Sequence, residues 1–254
     1  MQVVRNIGYV KSQQRRGRIL TAVGLVALVG AFIAVLQRQL PALILLAYGA
    51  MFIGFILFNS GLQLVAKFAS NQRKPRSDQV LDKALQRLND RFTIIHYAQL
   101  GKRVVEHLVV HNAGVAVITV RELPGKISVD DRKWKRQGGT LGRLFNTSGP
   151  QLGNPTVDTE ADIEAVKAAL AGEELPDVEV EGAIVFTHPE AEVTGSSPLD
   201  VTDPQGLASM LRSYANTSAT PLAAKDRLAL VEALSVGAEL EQATPRTDRR
   251  RPAA

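Results

Sequence analysis

No cysteine occurs among the 254 residues, which removes a disulfide framework, thiol catalysis and any zinc site built on thiolates. Aromatic residues are scarce at 5%, with one tryptophan, so a stacking platform for single-stranded nucleic acid has little to build on. Charge is missing from residues 19–36 and again from 40–66. The glycine-rich stretch 137–153 is not followed by Gly-Lys-Ser or Gly-Lys-Thr, and the chain therefore lacks a phosphate loop.

The mean hydropathy of +0.01 averages two unlike parts. Residues 19–68 are almost uncharged, while about 180 residues beyond them are rich in Asp, Glu, Lys and Arg, enough to bury one core. The net charge of +5 would point to nucleic acid if it were spread over a folded domain. Instead it is concentrated in Lys11, Arg15, Arg16 and Arg18 before the first apolar run, in Lys67, Arg73, Lys74 and Arg76 after the second, and in Arg246, Arg249, Arg250 and Arg251 in the tail.

The run 19–36 holds eighteen uncharged residues, which as a helix measures about 27 Å against a hydrocarbon core of about 30 Å. The run from Leu40 to the first charge at Lys67 is long enough to cross with tilt. Only Gln37, Arg38 and Gln39 separate the two, with Pro41 behind, so the helices must be antiparallel neighbours. A signal peptide has a shorter apolar centre and a small-residue cleavage site, whereas another spanning run follows at once here. The basic residues flank the outer ends of the pair, and the positive-inside rule places both ends on the cytoplasmic side of a cell membrane, as a multi-pass protein. Gly24, Gly30, Gly49 and Gly54 are candidates for close helix packing, within the hairpin or in a homo-oligomer through it.

Beyond Pro75, the segment DQVLDKALQRL has helical spacing, with Ser77 as a candidate N-cap. RFTIIHYAQL, KRVVEHLVV and GVAVITVREL then read as strands joined as antiparallel hairpins. KISVDDRKWKR adds one further strand, and residues 137–153 form a long loop or lid. A helix over 156–171 follows, then a strand in VEVEGAIVFTHP, a short strand near Glu192-Val193, and two helices in DPQGLASMLRSY, capped by Asp203, and PLAAKDRLALVEAL. The expected organisation is a basic cytoplasmic N-terminus over 1–18, a transmembrane helical hairpin over 19–68, a juxtamembrane linker over 69–77, an α/β domain over 78–240 with a mixed sheet flanked by helices, and a disordered basic tail over 241–254.

Several short strings stand in a telling order: Ser77-Asp78, Val105-Glu106-His107-Leu108, the run from Gly114 to Arg121, Gly125-Lys126-Ile127, Trp134, and Asn154-Pro155-Thr156-Val157-Asp158. In this the soluble part resembles the nuclease-related domain, NERD, a branch of the restriction-endonuclease-like superfamily often found beside membrane helices. That family carries Gly-Glu at the first helix, Ile-Asp-His on the second strand, Glu-x-Lys on the third, Gly-Lys-Ile and a Trp after it, and Asn-Pro-x-x-Gln at the next helix. The resemblance implies a restriction-endonuclease-like fold and metal-assisted phosphodiester cleavage, in which carboxylates on adjacent strands hold Mg²⁺ or Mn²⁺ and a lysine orients the attacking water.

At the implied catalytic positions stand Asp78, Glu106, Thr119 and Arg121. Asp78 and Glu106 are the candidate metal ligands, each altered by one carbon from the family residue. Thr119 is a poor ligand for Mg²⁺, and the guanidinium of Arg121 does not accept a proton. Glu122 alternates to the other face of the strand. Lys133, Trp134, Lys135 and Arg136 combine cations with an aromatic ring as candidates for nucleic-acid binding, though a Trp134 packed beside the sheet with solvated cations is the simpler arrangement. His96, His107 and His111 match no zinc spacing. The expected function is a membrane-anchored, catalytically inactive domain that needs no cofactor and binds nucleic acid or a protein. The alternative is a metal-dependent nuclease whose site is rebuilt from Asp78, Glu106 and a third group, Glu122 or Asp158.

Overall fold

The computed structural model describes residues 1–36, 41–69, 75–137, 151–171, 175, 178–217, 221–235 and 239–240. The turn at Gln37–Gln39, residues 70–74 of the linker, the loop over 138–150 and the tail from 241 lie outside the described residues.

Two long helices, α1 (Ile7–Leu36) and α2 (Pro41–Phe68), form the hairpin. Helix α1 begins twelve residues before the uncharged run, because Lys-Ser-Gln-Gln-Arg-Arg contains good helix formers and no proline. The buried positions of α1 are Val10, Gly17, Gly24 and Ala31, and those of α2 are Ala47, Gly54, Gly61 and Phe68. Both sets recur every seven residues, the period of a left-handed coiled pair. At this seam the two backbones touch. A Cβ on Gly24 would lie 2.4 Å from the Phe58 nitrogen, and one on Gly61 would lie 2.4 Å from the Thr21 nitrogen. Of the four glycines expected to pack, Gly24 and Gly54 do so, whereas Gly30 and Gly49 have nothing within 4 Å. The sequence reading missed Gly17 and Gly61. Away from the seam the hairpin is apolar on its outside, and only 11% and 17% of its most apolar stretches are buried. Both helices are long and apolar enough to cross a membrane.

The segment 1–18, expected as a basic cytoplasmic N-terminus, contributes a strand, β1 (Gln2–Arg5), and the first turns of α1. The main sheet also contains β2 (Thr93–Leu100), β3 (Arg103–Val110), β4 (Gly114–Arg121), β7 (Glu179–Phe186), β9 (Asp200–Thr202) and β10 (Glu239–Leu240), in the order β10-β1-β2-β3-β4-β7-β9. Neighbours β2, β3 and β4 are antiparallel, whereas β1 runs parallel to β2, and β7 runs parallel to both β4 and β9. The sheet is therefore mixed, as expected. A second sheet, β6-β5-β8, is built from β5 (Gly125–Asp130), β6 (Lys133–Arg136) and β8 (Ala191–Ser196). The single strand expected from Gly125 to Arg136 is thus a hairpin, turned at Asp131, whose φ of 53° is left-handed.

Helices cover both faces of the main sheet. On one side α3 (Ser77–Leu85) and α5 (Leu207–Ala215) bury Leu81, Leu85, Leu207 and Leu211 against Ile94, Val109, Ala116 and Ile118. On the other, α4 (Pro155–Leu170) and α6 (Ala224–Leu234) bury Ile163, Val166, Leu230 and Leu234 against Ile95, Leu108, Val115 and Val117. The alternating pattern of β4 feeds both cores, since odd and even residues of a strand point to opposite faces. Asn154 caps α4, accepting from the Val157 N–H at 3.3 Å with Pro155 at the first position. Ser77 is the first residue of α3 rather than its cap, a place taken by Arg76.

The base of the hairpin is docked on the sheet. Tyr9, Phe68 and Tyr97 stack with ring centroids 5.7–5.8 Å apart, and Val10, Leu64 and Val104 complete the contact. Gln14 Nε2 donates to the last carbonyl of α2, Phe68 O, at 2.7 Å.

Candidate functional site

Regular alternation breaks where β2 and β3 meet the hairpin. Ile95 and Ala98 lie in one core cluster, as do Leu108 and Val105, although each pair is three residues apart and strict alternation would separate them. Between them Tyr97 takes a φ of 62°, which a bulky residue adopts only when its surroundings impose it. This kink gathers a polar network beneath the docked aromatic rings.

Asp78 is the second residue of α3 and is fully buried. The guanidinium of Arg76 grips it in a fork, Nε to Oδ1 at 3.0 Å and Nη2 to Oδ2 at 2.9 Å. The Gln79 N–H donates to Oδ1 at 2.9 Å, and Arg5 Nε lies 3.0 Å from Oδ2. A carboxylate offers about four acceptor sites; two hydrogen bonds from Arg76 and one from the Gln79 N–H take three of them, and Arg5 adds its charge as an ion pair. Burial opposes its ionisation, but the hydrogen bonds and charge of Arg76, then Arg5 and His96, outweigh burial and hold the carboxyl below its ordinary value. Arg5 also pairs with Asp82.

From Asp82 the network continues inward. Asp82 Oδ1 lies 2.9 Å from His96 Nε2, and His96 Nδ1 lies 2.8 Å from His107 Nδ1. An ionised carboxylate only accepts, so His96 carries a proton on Nε2, and the contact between the two Nδ1 atoms holds one further proton. His107 Nε2 is buried with no partner among the described residues. Burial and the neighbouring His96 push His107 down to about 3, which keeps the ring neutral.

Glu106 pairs with Lys67 from the last turn of α2. Burial pushes its carboxyl up, yet Lys67, with smaller contributions from His107 and Arg121, brings it below the ordinary value. The Tyr97 hydroxyl is driven upward by burial and by the negative charges of Asp78 and Glu106.

Thr119 and Arg121 share one face of β4, as the spacing requires, and that face meets α4. The hydroxyls of Thr119 and Thr159 hydrogen bond at 2.7 Å. Arg121 pairs with Asp158 and donates from Nε to Leu152 O at 3.0 Å. Asp78 therefore stands with α3 on one side of the sheet and Asp158 with α4 on the other. The register of β3 and β4 sets Glu106 near Thr119 and Arg121, whereas Asp78 stands with α3. Each of the carboxylates Asp78, Glu106 and Asp158 is matched to a cation of the chain itself, and among the described residues no group of three or more His, Asp or Glu is arranged to hold a metal ion. This donor set does not fit the divalent cation that the fold implies.

The remaining candidates fall elsewhere. Trp134 donates from Nε1 to Thr156 Oγ1 at 2.8 Å and packs on Phe186 at 5.7 Å, so its ring faces inward, while Lys133 and Lys135 are exposed. His111 is buried at the end of β3, with Nε2 3.5 Å from Glu181 Oε2. Next to it Tyr214 donates to Asp200 Oδ2 at 2.6 Å. Burial, with Glu179 and Asp200 nearby, pushes Glu181 up to about 7, and burial pushes His111 down to about 4.

Sequence reasoning missed Arg5, Asp82 and the roles of Lys67 and Arg76. The last two had been read as membrane-flanking charges. A hint for Arg5 lay in Val3-Val4, a β-branched pair before a lone cation, but four residues are too short a pattern to single out a strand.

A family model, NERD, the nuclease-related domain, matches residues 75–187. No curated protein matches the chain, and no solved structure does. The match runs from the start of α3 to just past the end of β7, and the mixed sheet with flanking helices fits a restriction-endonuclease-like fold. The hairpin, β1, β8, β9, β10 and the two last helices lie outside it.

Proposed function

We propose that the nuclease-related domain of this chain is a catalytically inactive binding module, fixed by the hairpin to the cytoplasmic face of a membrane. The observation that carries this reading is the pairing of every family-position carboxylate with a built-in cation: Asp78 with Arg5 and Arg76, and Glu106 with Lys67. A guanidinium supplies the positive charge that a metal would supply, but it has no open coordination position for water or phosphate.

The fold supports the membrane arrangement independently of the positive-inside rule. Strand β1 precedes the hairpin and sits between β10 and β2, so both outer ends of the hairpin lie on the domain's side. Cleavage after α1 would tear a strand from the sheet, which is the argument against a removable leader. The partner favoured by charge is a protein. Residues 78–240 contain 16 Lys and Arg against 23 Asp and Glu, a net of −7, which disfavours the phosphate backbone of nucleic acid.

The rival reading, a metal-dependent nuclease, requires Arg5 and Arg76 to withdraw from Asp78 and Lys67 from Glu106. The full chain in detergent, incubated with single- and double-stranded DNA and RNA and with Mg²⁺ or Mn²⁺, distinguishes the two. We expect no scission. Cleavage that Glu106→Ala abolishes would overturn the proposal. The full chain is required because a fragment cut at residue 77 would lose β1 and Arg5.

A further inference from the structure

Charge is divided sharply along this chain. No Asp or Glu occurs before Asp78, while the same stretch holds ten Lys and Arg. Three of these cations are used inside the protein: Arg5, Lys67 and Arg76 bind Asp78, Asp82 and Glu106. Four others, Lys11, Arg15, Arg16 and Arg18, are all exposed on α1, and none has a carboxylate partner among the described residues.

We propose that Lys11, Arg15, Arg16 and Arg18 form a collar that binds the phosphate headgroups of anionic phospholipids in the leaflet facing the domain. The inference rests on the reading of the hairpin as membrane-spanning and adds a lipid class to it. The geometry is favourable in three respects. First, Arg18 abuts Ile19, where the uncharged run begins, and at a helical rise of about 1.5 Å per residue Lys11 lies only about 10 Å further along the axis. That is roughly a Debye length, within which a charge still feels the membrane surface. Second, the seam with α2 takes Val10, Gly17 and Gly24, and at about 100° per residue the four cations spread around the sides that remain. Third, the facing part of α2, from Gly61 to Lys67, has no acidic residue, and the nearby carboxylate Glu106 is already held by Lys67.

The acidic domain gives the collar a purpose. A domain of net −7 is repelled by an anionic leaflet, so the surface holds the base of α1 while the domain stands off it. A nucleic-acid backbone offers the same phosphate chemistry, but the apolar shell that begins at Ile19 sets the collar at headgroup depth.

The test uses the full chain in nanodiscs of phosphatidylcholine and phosphatidylglycerol mixed four to one, followed by gentle extraction and native mass spectrometry of the retained lipids. One surface cation favours an anionic lipid about five-fold. We therefore expect phosphatidylglycerol to be enriched about five-fold or more over the bulk ratio, and the enrichment to fall below about two-fold in K11Q/R15Q/R16Q/R18Q but not in K133Q/K135Q. High salt should erode the wild-type enrichment, a readout that does not depend on any variant folding. A wild type that enters the discs and retains lipids at the bulk ratio would overturn the collar alone. A chain that stays soluble without detergent and never enters the discs would overturn both the collar and the membrane reading. Enrichment abolished by short DNA, but not by an equal charge of free phosphate, would assign the collar to nucleic acid instead.

Discussion

Asp78→Asn should destabilise the protein, and the sign of that change separates a structural ion pair from a metal site. A carboxylate kept for a metal is a source of repulsion when no metal is bound, so neutralising it stabilises the metal-free protein. A carboxylate kept to neutralise two guanidiniums does the opposite. Asp78 is 0% exposed and its partners Arg5 and Arg76 are 9% and 12% exposed at the side chain. Removing one partner of such a buried pair costs about 3–5 kcal/mol. Asn retains an oxygen for the Gln79 N–H, and Arg5 keeps Asp82, which together reduce the expected loss to about 2–3 kcal/mol. For a domain of this size that is a fall in Tm of about 5–10 °C.

Tryptophan fluorescence is the natural assay, because the single tryptophan, Trp134, packs on Phe186 inside the α/β domain, away from the hairpin. R5Q combined with D78N should show a coupling of about 1–2 kcal/mol. The folded carboxyl lies below its ordinary value, so its stabilisation is present above about pH 4 and is lost as the pH falls through the lowered folded value. The penalty of D78N should shrink in the same window. An unchanged or raised Tm in D78N at neutral pH would refute the reasoning.

Other consequences follow from the same structure. Lys67→Gln should cost no more than about 1 kcal/mol, because its pair with Glu106 is part-exposed, and denaturant titration of the Trp134 signal will show it. Gly24→Val should loosen the hairpin, since even a Cβ there meets backbone of α2, whereas Gly49→Val should be tolerated; a fluorophore pair placed on α1 and α2 reads the difference. Glu181 is held at about 7, so the folded state binds its proton more tightly than the unfolded state does, and stability is lost as the pH rises from about 4.5 through 7. Glu181→Gln should therefore raise Tm at pH 8 and leave it nearly unchanged at pH 5.

The hairpin and most strands were legible because their signals are long or strictly periodic. Eighteen uncharged residues have few other readings, and β2, β3, β4 and β7 emerge from β-branched runs close to where the structure has them. Short elements were not legible. Strand β1 has four residues, β9 three and β10 two, and each is held by its neighbours in the sheet rather than by its own pattern. The family positions could be found by their strings, but the partners of those positions could not. Arg5 and Asp78 are 73 residues apart with the whole hairpin between them, and no local rule links a cation before an apolar hairpin to a carboxylate after it. The kink at Tyr97 was also invisible, because strand alternation assumes regular backbone, and Tyr97, in ring contact with Tyr9 and Phe68, departs from it.

The most direct test of the central claim, that the chain's own cations fill the family's carboxylate site, is a titration of the full chain in detergent with Mn²⁺ followed by electron paramagnetic resonance. The signal of free Mn²⁺ should grow in step with added metal for the wild type, with no saturable loss. Saturable binding by the wild type that D78N or E106Q removes would contradict the account.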